Sequence, residues 1–247
     1  MTDSQFSPDQ WLNGLLPEIS SARSALATAD RLLREDGPIE RDLDGILAIY
    51  SIGVERLLKL SLGIAAVDNG QPWPAKMSLT REGWGHAITA MDSRLRETLR
   101  RRIAEGPFEQ AALLNLWLRT LENDPIWQAV VQVLEAYADK GRYYHLDQMS
   151  SSIKPSPNPK EMWDQMEHAA IESHPALSEM YQQVLAGEVE WDDFERLLRK
   201  AVADSIQRWV AIIACMGMHK VLGEDGATLG ADALPVGALP IVTLPGC

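Results

Sequence analysis

The sequence predicts an all-α fold, a helical bundle with one long central helix, additional C-terminal helices and a flexible C-terminal tail. Three observations predict it. Apolar residues recur at steps of three and four along most of the 247-residue chain, which is the period of one helix face. Capping residues, Pro and Gly mark where these segments start and stop. No segment shows the alternation of apolar and polar residues that a half-buried strand requires.

The segment from Leu43 to Ala66 is apolar on nearly every side, so the rest of the chain is expected to pack against it. Two apolar rows run along it on roughly opposite faces, and a helix of this kind belongs in the middle of a bundle. The first row contains Ile46, Tyr50, Gly53, Leu57, Leu60 and Ile64, and the second contains Ala48, Ile52, Leu62 and Ala66.

Two charged residues, Glu55 and Lys59, fall within the second apolar row. They are four residues apart with the acid first, an order in which the side chains pair favourably on one helix face. Such pairing offsets the free energy lost when charges are removed from water. Two interpretations stay open, a half-buried structural ion pair and a polar site inside the bundle.

Helix signals divide the N-terminal half into three helices. The first runs from Ser7, the expected N-cap, to Gly37. The central helix follows from about Ile39 to Val67. The third begins at Thr80, its expected N-cap, and ends at Gly106.

Further helices are predicted in the C-terminal half. One covers Phe108 to Leu121. The next starts with Asp124 as N-cap and continues to Gly141, which is expected to bend or end it. Another covers Pro159 to about Ala186 with an interruption near His174, and the last covers Trp191 to Leu222.

These elements divide the chain into four parts. Residues 7–149 form the bundle, 150–158 form a Ser/Pro-rich loop or linker, and 159–222 add C-terminal helices that pack on the bundle. Residues 223–247 mix Gly, Pro and apolar residues without a period, so this tail is expected to be mostly irregular.

Charge and composition argue against several function classes. The formal net charge of −12 disfavours a protein that coats nucleic acid by bulk electrostatics, since that requires a basic surface. Cys215 and Cys247 lack metal-type spacing and indicate neither a disulfide framework nor a zinc site. The N-terminus has no signal-peptide pattern, and the longest uncharged apolar run, 209–218, is half of a membrane span. A cytoplasmic protein without a membrane partner is expected.

Common catalytic motifs are missing from the sequence. It contains no phosphate-binding loop, dinucleotide-binding fingerprint, nucleophile elbow or H-E-x-x-H metal motif. A di-iron site in a bundle needs an acid three residues before a histidine. The residues three positions before the five histidines are Gly83, Arg142, Gln165, Ile171 and Met216. None of them is acidic, and we therefore expect no metal centre and no cofactor.

Three polar motifs remain on the apolar helices. They are Glu55 with Lys59 in YSIGVERLLKLSL, His86 in GHAI, and Arg142 with His145 in GRYYHLD. In this order they resemble the HEPN superfamily, the helical-bundle proteins of prokaryotic conflict and toxin systems. The resemblance covers roughly Ile39 to Met149. The motif is degenerate, because two residues separate Arg142 from His145 where the family has four to six.

The resemblance implies a bundle that is often dimeric and whose active members are metal-independent endoribonucleases. In those proteins an Arg and a His on a late helix meet their copies across a cleft, and an earlier polar residue assists. By this comparison Arg142 and His145 are the candidate catalytic pair, with Glu55 as the assisting residue. The candidates for polar support are Lys59, His86 and Tyr143.

Arg81 and His86 have the family's spacing of four intervening residues, but they lie at the start of an early helix. With five histidines in the chain, an accidental match is expected, so we interpret His86 as a capping or packing histidine. For Arg142 and His145 the non-catalytic alternative is an Arg paired with Asp139 or Glu135 and an exposed His.

Two function classes follow from these observations. As a ribonuclease, the protein would use His145 to take the proton from the ribose hydroxyl and Arg142 to stabilise charge on the phosphate. RNA would then be bound by Arg94, Arg96, Arg100 and Arg101.

As a binding or assembly module, the protein would form a homodimer or bind a protein partner in a defence or toxin–antitoxin setting. Its eight Trp and nine Met residues would serve as core and interface. The degenerate Arg/His spacing and the acidic charge favour this second class.

Overall fold

The computed structural model describes residues 6–35, 39, 42–75, 84–149 and 158–233. Every regular element within these residues is helical, as the apolar period predicts. The chain divides into two compact units. The first unit comprises Met1–Ala27, Ile52–Asn123 and Gln207–Cys247, and the second comprises Thr28–Ser51 and Asp124–Ile206.

The N-terminal helical segment consists of α1 (Pro8–Gln10), a π-helical turn (Trp11–Leu15) and α2 (Leu16–Arg34). Ser7 caps it as predicted. The Ser7 hydroxyl accepts a hydrogen bond from the Gln10 backbone N–H, and the Gln10 side chain accepts one from the Ser7 N–H. This reciprocal arrangement is a capping box. The predicted stop at Gly37 lies outside the described residues.

The long central helix is α3 (Leu43–Asp68), which begins a few residues later than expected. From Leu57 to Ala65 every residue except Lys59 is buried, as a helix with two apolar faces requires. Gly53 lets α3 approach α2 closely, because a Cβ there would lie 2.8 Å from the Leu26 side chain.

In the first unit α4 (Ile88–Glu105) packs against α5 (Ala111–Glu122). Helix α4 has Ala87 at its N-cap and no side-chain cap, and the expected cap, Thr80, lies outside the described residues. Arg102 of α4 donates to the Ala65 carbonyl at 2.7 Å and pairs with Asp68 at 2.8 Å. These bonds satisfy groups at the C-terminal end of α3.

In the second unit α6 (Pro125–Asp139) packs against α8 (Pro159–Ser173), which also packs against α9 (Pro175–Leu185). Asp124 caps α6 as predicted, with Oδ1 accepting from the backbone N–H groups of Ile126 and Trp127, both at 3.1 Å. The break between α8 and α9 falls at His174, also as predicted.

Gly141 ends the fifth predicted helix. Helix α6 stops at Asp139 and is followed by a 3₁₀ turn (Gly141–Tyr143) and a short helix, α7 (Tyr144–Asp147). A Cβ on Gly141 would lie 3.2 Å from the Ala136 carbonyl oxygen, so the tight fit against the end of α6 favours glycine here. Of the predicted linker, 150–158, only Asn158 is described, and it caps α8.

The C-terminal part consists of α10 (Trp191–Met218) and α11 (Gly226–Ala233). Helix α11 lies in the tail that was expected to be mostly irregular, and the sequence analysis did not predict this short helix. Its glycines permit tight packing against α10, because a Cβ on Gly230 would lie 2.3 Å from the Ala214 carbonyl oxygen. Residues 234–247 of the tail lie outside the described part of the chain.

By length and composition one helix in the described residues, α10, is apolar enough to cross a membrane. However, 67% of its most apolar window is buried within the protein. Long core helices pass the same test, so this finding is weak evidence for a membrane span.

Candidate functional site

The predicted ion pair between Glu55 and Lys59 is present in the first unit. Lys59 Nζ lies 2.5 Å from Glu55 Oε1, and each side chain is 18% exposed. One turn of α3 separates the two residues, so the pair forms on one face of the helix. The prediction of a half-buried pair is confirmed.

His86 joins this pair, so the structure brings together three of the predicted site residues. His86 Nδ1 lies 2.8 Å from Glu55 Oε2, and the His86 side chain is 47% exposed. The expectation that His86 is a capping or packing histidine stays a prediction, and the structure adds its contact with Glu55. We call Glu55, Lys59 and His86 the Glu55 cluster. Arg81 lies outside the described residues.

Arg142 and His145 lie in the second unit, whereas Glu55 lies in the first. The Arg142 guanidinium donates to the Ala138 carbonyl, so it caps the last turn of α6. It also lies 5.8 Å from the Tyr143 ring centroid. His145 is exposed, and its ring meets Tyr144 edge-on at 5.2 Å between centroids.

The four arginines considered for RNA binding have different surroundings in the first unit. Arg96 pairs at 2.9 Å with Asp92, which is 1% exposed, and Arg100 pairs with Glu122. These two guanidinium groups are therefore balanced by acids. Arg94 lies over the Trp84 ring at 5.6 Å, and Arg94 and Arg101 both line a groove of about 620 Å³.

The second unit contains a cavity of about 270 Å³ that the sequence analysis did not predict. We call it the aromatic cavity, since aromatic rings from α8, α9 and α10 supply much of its wall. The rings are Trp163, Tyr181, Trp191 and Phe194, and the polar lining residues are Lys160, Asp164, Glu167, His168, Glu195 and Arg199. Apolar walls with a few convergent polar groups are typical of ligand sites.

Two matching hydrogen bonds join residues that line the aromatic cavity. Trp163 Nε1 donates to Glu167 Oε1 at 2.7 Å, and Trp191 Nε1 donates to Glu195 Oε1 at 2.5 Å. Each bond joins residues four apart on one helix. The sequence signal is a repeated W-D-x-(M/F)-E pattern, WDQME from residue 163 and WDDFE from residue 191.

Glu167 is the most perturbed acid on the cavity lining. Burial raises its pKa to about 7, and the neighbouring carboxylates of Asp164 and Glu195 act in the same direction. The hydrogen bond from Trp163 and the charge of Lys160 lower the pKa but do not offset burial. A strongly perturbed acid in a cavity is a candidate functional residue.

No group of three or more His, Cys, Asp and Glu in the described part of the chain is arranged to hold a metal ion. No protein-family model matches the sequence, and no curated protein or solved structure is significantly similar to it. The function is therefore argued from the geometry of the Glu55 cluster and the aromatic cavity.

Proposed function

We propose that the protein is a non-catalytic helical binding module and that the aromatic cavity is its ligand site. A HEPN-like role in defence or a toxin–antitoxin system is the setting that the sequence resemblance favours. The single observation that carries the proposal is the cavity framed by two Trp–Glu hydrogen bonds in the second unit.

The chemistry of the cavity supports ligand binding. Aromatic rings provide a large contact area and lose little conformational entropy when a ligand binds. The two indole N–H groups fix the orientation of the Glu167 and Glu195 carboxylates before any ligand arrives, and such preorganisation favours affinity. A carboxylate held away from water lowers the stability of the ligand-free protein. A ligand that contacts the carboxylate offsets this loss of stability.

The surroundings of Arg142 and His145 favour binding over catalysis. The Arg142 guanidinium contacts the Ala138 carbonyl and stabilises the end of α6. Catalysis through Arg142 and His145 needs a guanidinium directed at substrate phosphate and a histidine held by a second group. The contact with the Ala138 carbonyl gives Arg142 a structural role at the end of α6, and His145 is exposed, as the non-catalytic alternative expects.

A fragment screen by ligand-observed NMR tests the proposal. Ile171 lines the cavity and is partly exposed, so Ile171→Trp should fill part of the cavity from its edge. Leu185→Trp is the matched control, because Leu185 is 64% exposed in the same unit and is not part of the lining.

We expect fragments that bind the wild type and Leu185→Trp but lose most of their affinity for Ile171→Trp. Far-UV circular dichroism should show that both variants keep their helical content. Fragments that bind all three proteins equally would place the ligand site elsewhere, and a screen without hits would argue against a binding cavity.

A metal-independent ribonuclease is the second candidate, and the Glu55 cluster is the observation that favours it. A carboxylate lies 2.8 Å from His86 Nδ1, and such a contact orients an imidazole for acid and base catalysis. In this version His86 takes the role that the sequence resemblance gives to His145.

An RNA cleavage assay in EDTA separates the two candidates. For a binding module, RNA incubated with the purified protein should stay intact. Cleavage that His86→Ala abolishes and His145→Ala retains would support a ribonuclease centred on the Glu55 cluster. Cleavage lost only in His145→Ala would support Arg142 and His145 as the catalytic pair.

A further inference from the structure

The aromatic cavity contains an arrangement of rings and charges that selects one class of ligand. Three of its rings lie close together without stacking face to face. The Trp191 and Phe194 centroids are 5.5 Å apart with the planes at 52°, and the Tyr181 and Phe194 centroids are 5.4 Å apart at 46°. Tyr181 and Trp191 are 6.4 Å apart at 65°. The three rings pack at tilted or edge-on angles, and together they supply an aromatic part of the cavity wall.

When Glu167 is ionised, the carboxylates give the cavity an excess of negative charge. The acidic lining residues are Asp164, Glu167 and Glu195, and the basic ones are Lys160 and Arg199. His168 uses Nδ1 to donate to the Asp164 backbone carbonyl at 2.8 Å. Lys160 Nζ is 3.2 Å from Asp164, so this acid is already balanced. Glu167 and Glu195 together outnumber Arg199, which is 8% exposed.

The two indole groups leave the carboxylates suited to a cation. Trp163 and Trp191 each donate to one oxygen, Oε1, of Glu167 and Glu195. An indole N–H orients a carboxylate without neutralising it, so the negative charge persists whenever the acid is ionised. Aromatic ring faces attract a cation whose centre lies within about 6 Å of the ring centroid.

We propose that the aromatic cavity binds a small organic cation of the alkylammonium class, with its charged group between the tilted rings and the carboxylates of Glu167 and Glu195. This inference rests on the proposed function, since it names the ligand of the same cavity. Quaternary ammonium ions fit best, because they are held by aromatic faces and need no hydrogen-bond acceptor for each N–H.

Glu167 links this binding to pH. Its pKa of about 7 means that the empty cavity binds a proton near neutrality, and a cation favours the ionised form. Binding should therefore release a proton and strengthen as the pH rises from about 6 to about 8, by up to about tenfold per pH unit below the pKa. The charged or titratable groups around Glu167 are Lys160, Asp164, His168, Tyr181, Glu195 and Arg199.

Isothermal titration calorimetry of the full chain tests the inference with three cations: choline, benzyltrimethylammonium and tetraethylammonium. The matched controls are the carbon isostere of choline, in which tert-butyl replaces trimethylammonium, and the tert-butylacetate anion. We expect at least one cation to bind, and choline to bind about tenfold more tightly than its neutral isostere, a difference that one or two cation–π contacts produce.

Protein variants identify the groups responsible. Glu167→Gln should weaken cation binding about tenfold and remove most of its pH dependence between about pH 6 and 8. Glu172→Gln is the control on the same helix, because Glu172 is exposed and is not part of the lining. His168→Gln should retain the pH dependence, which separates the effect of Glu167 from that of the neighbouring imidazole on the lining.

The outcomes distinguish the cation inference from the proposed function. If the neutral isostere binds as tightly as choline, or if only tert-butylacetate binds, the cavity is a ligand site but the cation inference is wrong. If none of the three cations binds while fragments occupy the cavity, the cation inference is also wrong. If no compound and no fragment binds there, the proposed function fails as well.

Discussion

Glu167 keeps a proton in the folded protein at a pH at which the same group is ionised in the unfolded chain. Burial raises its folded pKa to about 7, whereas a glutamate in an unfolded chain titrates at about 4.3. The resulting contribution to stability is fully present below the unfolded pKa and is lost as the pH rises through about 7.

The free energy of unfolding of the wild type should therefore decrease between about pH 5 and pH 7, relative to that of Glu167→Gln. The difference should be up to about 1.4 kcal/mol per pH unit, because the folded protein binds up to one proton more than the unfolded chain in this range. Urea titrations at several pH values measure it. Glu172→Gln should follow the wild type, and parallel curves for the wild type and Glu167→Gln would show that Glu167 is well solvated.

Lys59 balances the charge of Glu55 in a half-buried place. Lys59→Met should destabilise the protein by about 1–2 kcal/mol, less than the loss of a fully buried partner, since both side chains keep 18% exposure. The double variant Glu55→Gln/Lys59→Met should lose less, because no unpaired charge remains. Small and equal losses in a denaturant titration would show that the pair acts as a surface ion pair.

Alanine substitutions at Gly230 and at Gly45 are expected to have opposite effects on the stability of the protein. A Cβ on Gly230 would lie 2.3 Å from the Ala214 carbonyl oxygen and 2.6 Å from the Met218 nitrogen, whereas nothing lies within 4 Å of a Cβ on Gly45. Gly230→Ala should therefore destabilise the protein by about 1–3 kcal/mol, because α11 must move away from α10.

Gly45→Ala should stabilise α3 by up to about 1 kcal/mol, since alanine has the higher helix propensity. Thermal unfolding of the two variants measures the contrast. Equal melting temperatures for both variants would mean that α11 is not held by close contact with α10.

Local signals predicted most helix ends, because capping involves residues a few positions apart. Ser7 and Asp124 form the predicted caps, and His174 marks the predicted break. Helix α11 could not be predicted in this way. Glycine lowers helix propensity, so Gly226 and Gly230 resemble turn residues in the sequence, whereas in the structure their missing side chains make room for α10.

The sequence predicted the contact of the site that lies within one helix and missed the contacts between helices. Glu55 and Lys59 are one helix turn apart, so their pairing follows from periodicity. The contact with His86 and the aromatic cavity depend on which faces of separate helices meet. The abundance of Trp indicated an interface, but most of these residues belong to the core. Buried examples are Trp84, Trp117, Trp127, Trp163 and Trp209.

Self-association is the prediction for the whole molecule that rests on the HEPN resemblance. Tyr143, Leu146 and Met149 are 55%, 66% and 86% exposed and lie three residues apart beside His145. Exposed apolar residues grouped in this way are common at interfaces. Light scattering should give a dimer mass for the wild type and a monomer mass for Leu146→Glu, while a monomer mass for both would contradict pairing through this segment.

The indole N–H signals of Trp163 and Trp191 in a heteronuclear NMR spectrum test the central claim most directly, since both groups donate to carboxylates of the aromatic cavity. Single Trp→Phe variants assign the signals. During a titration with benzyltrimethylammonium, both signals should shift and saturate with one Kd, while the signals of the buried Trp117 and Trp209 in the first unit stay in place. Saturable shifts confined to other tryptophans, or no shift at Trp163 and Trp191, would contradict the cavity as the ligand site.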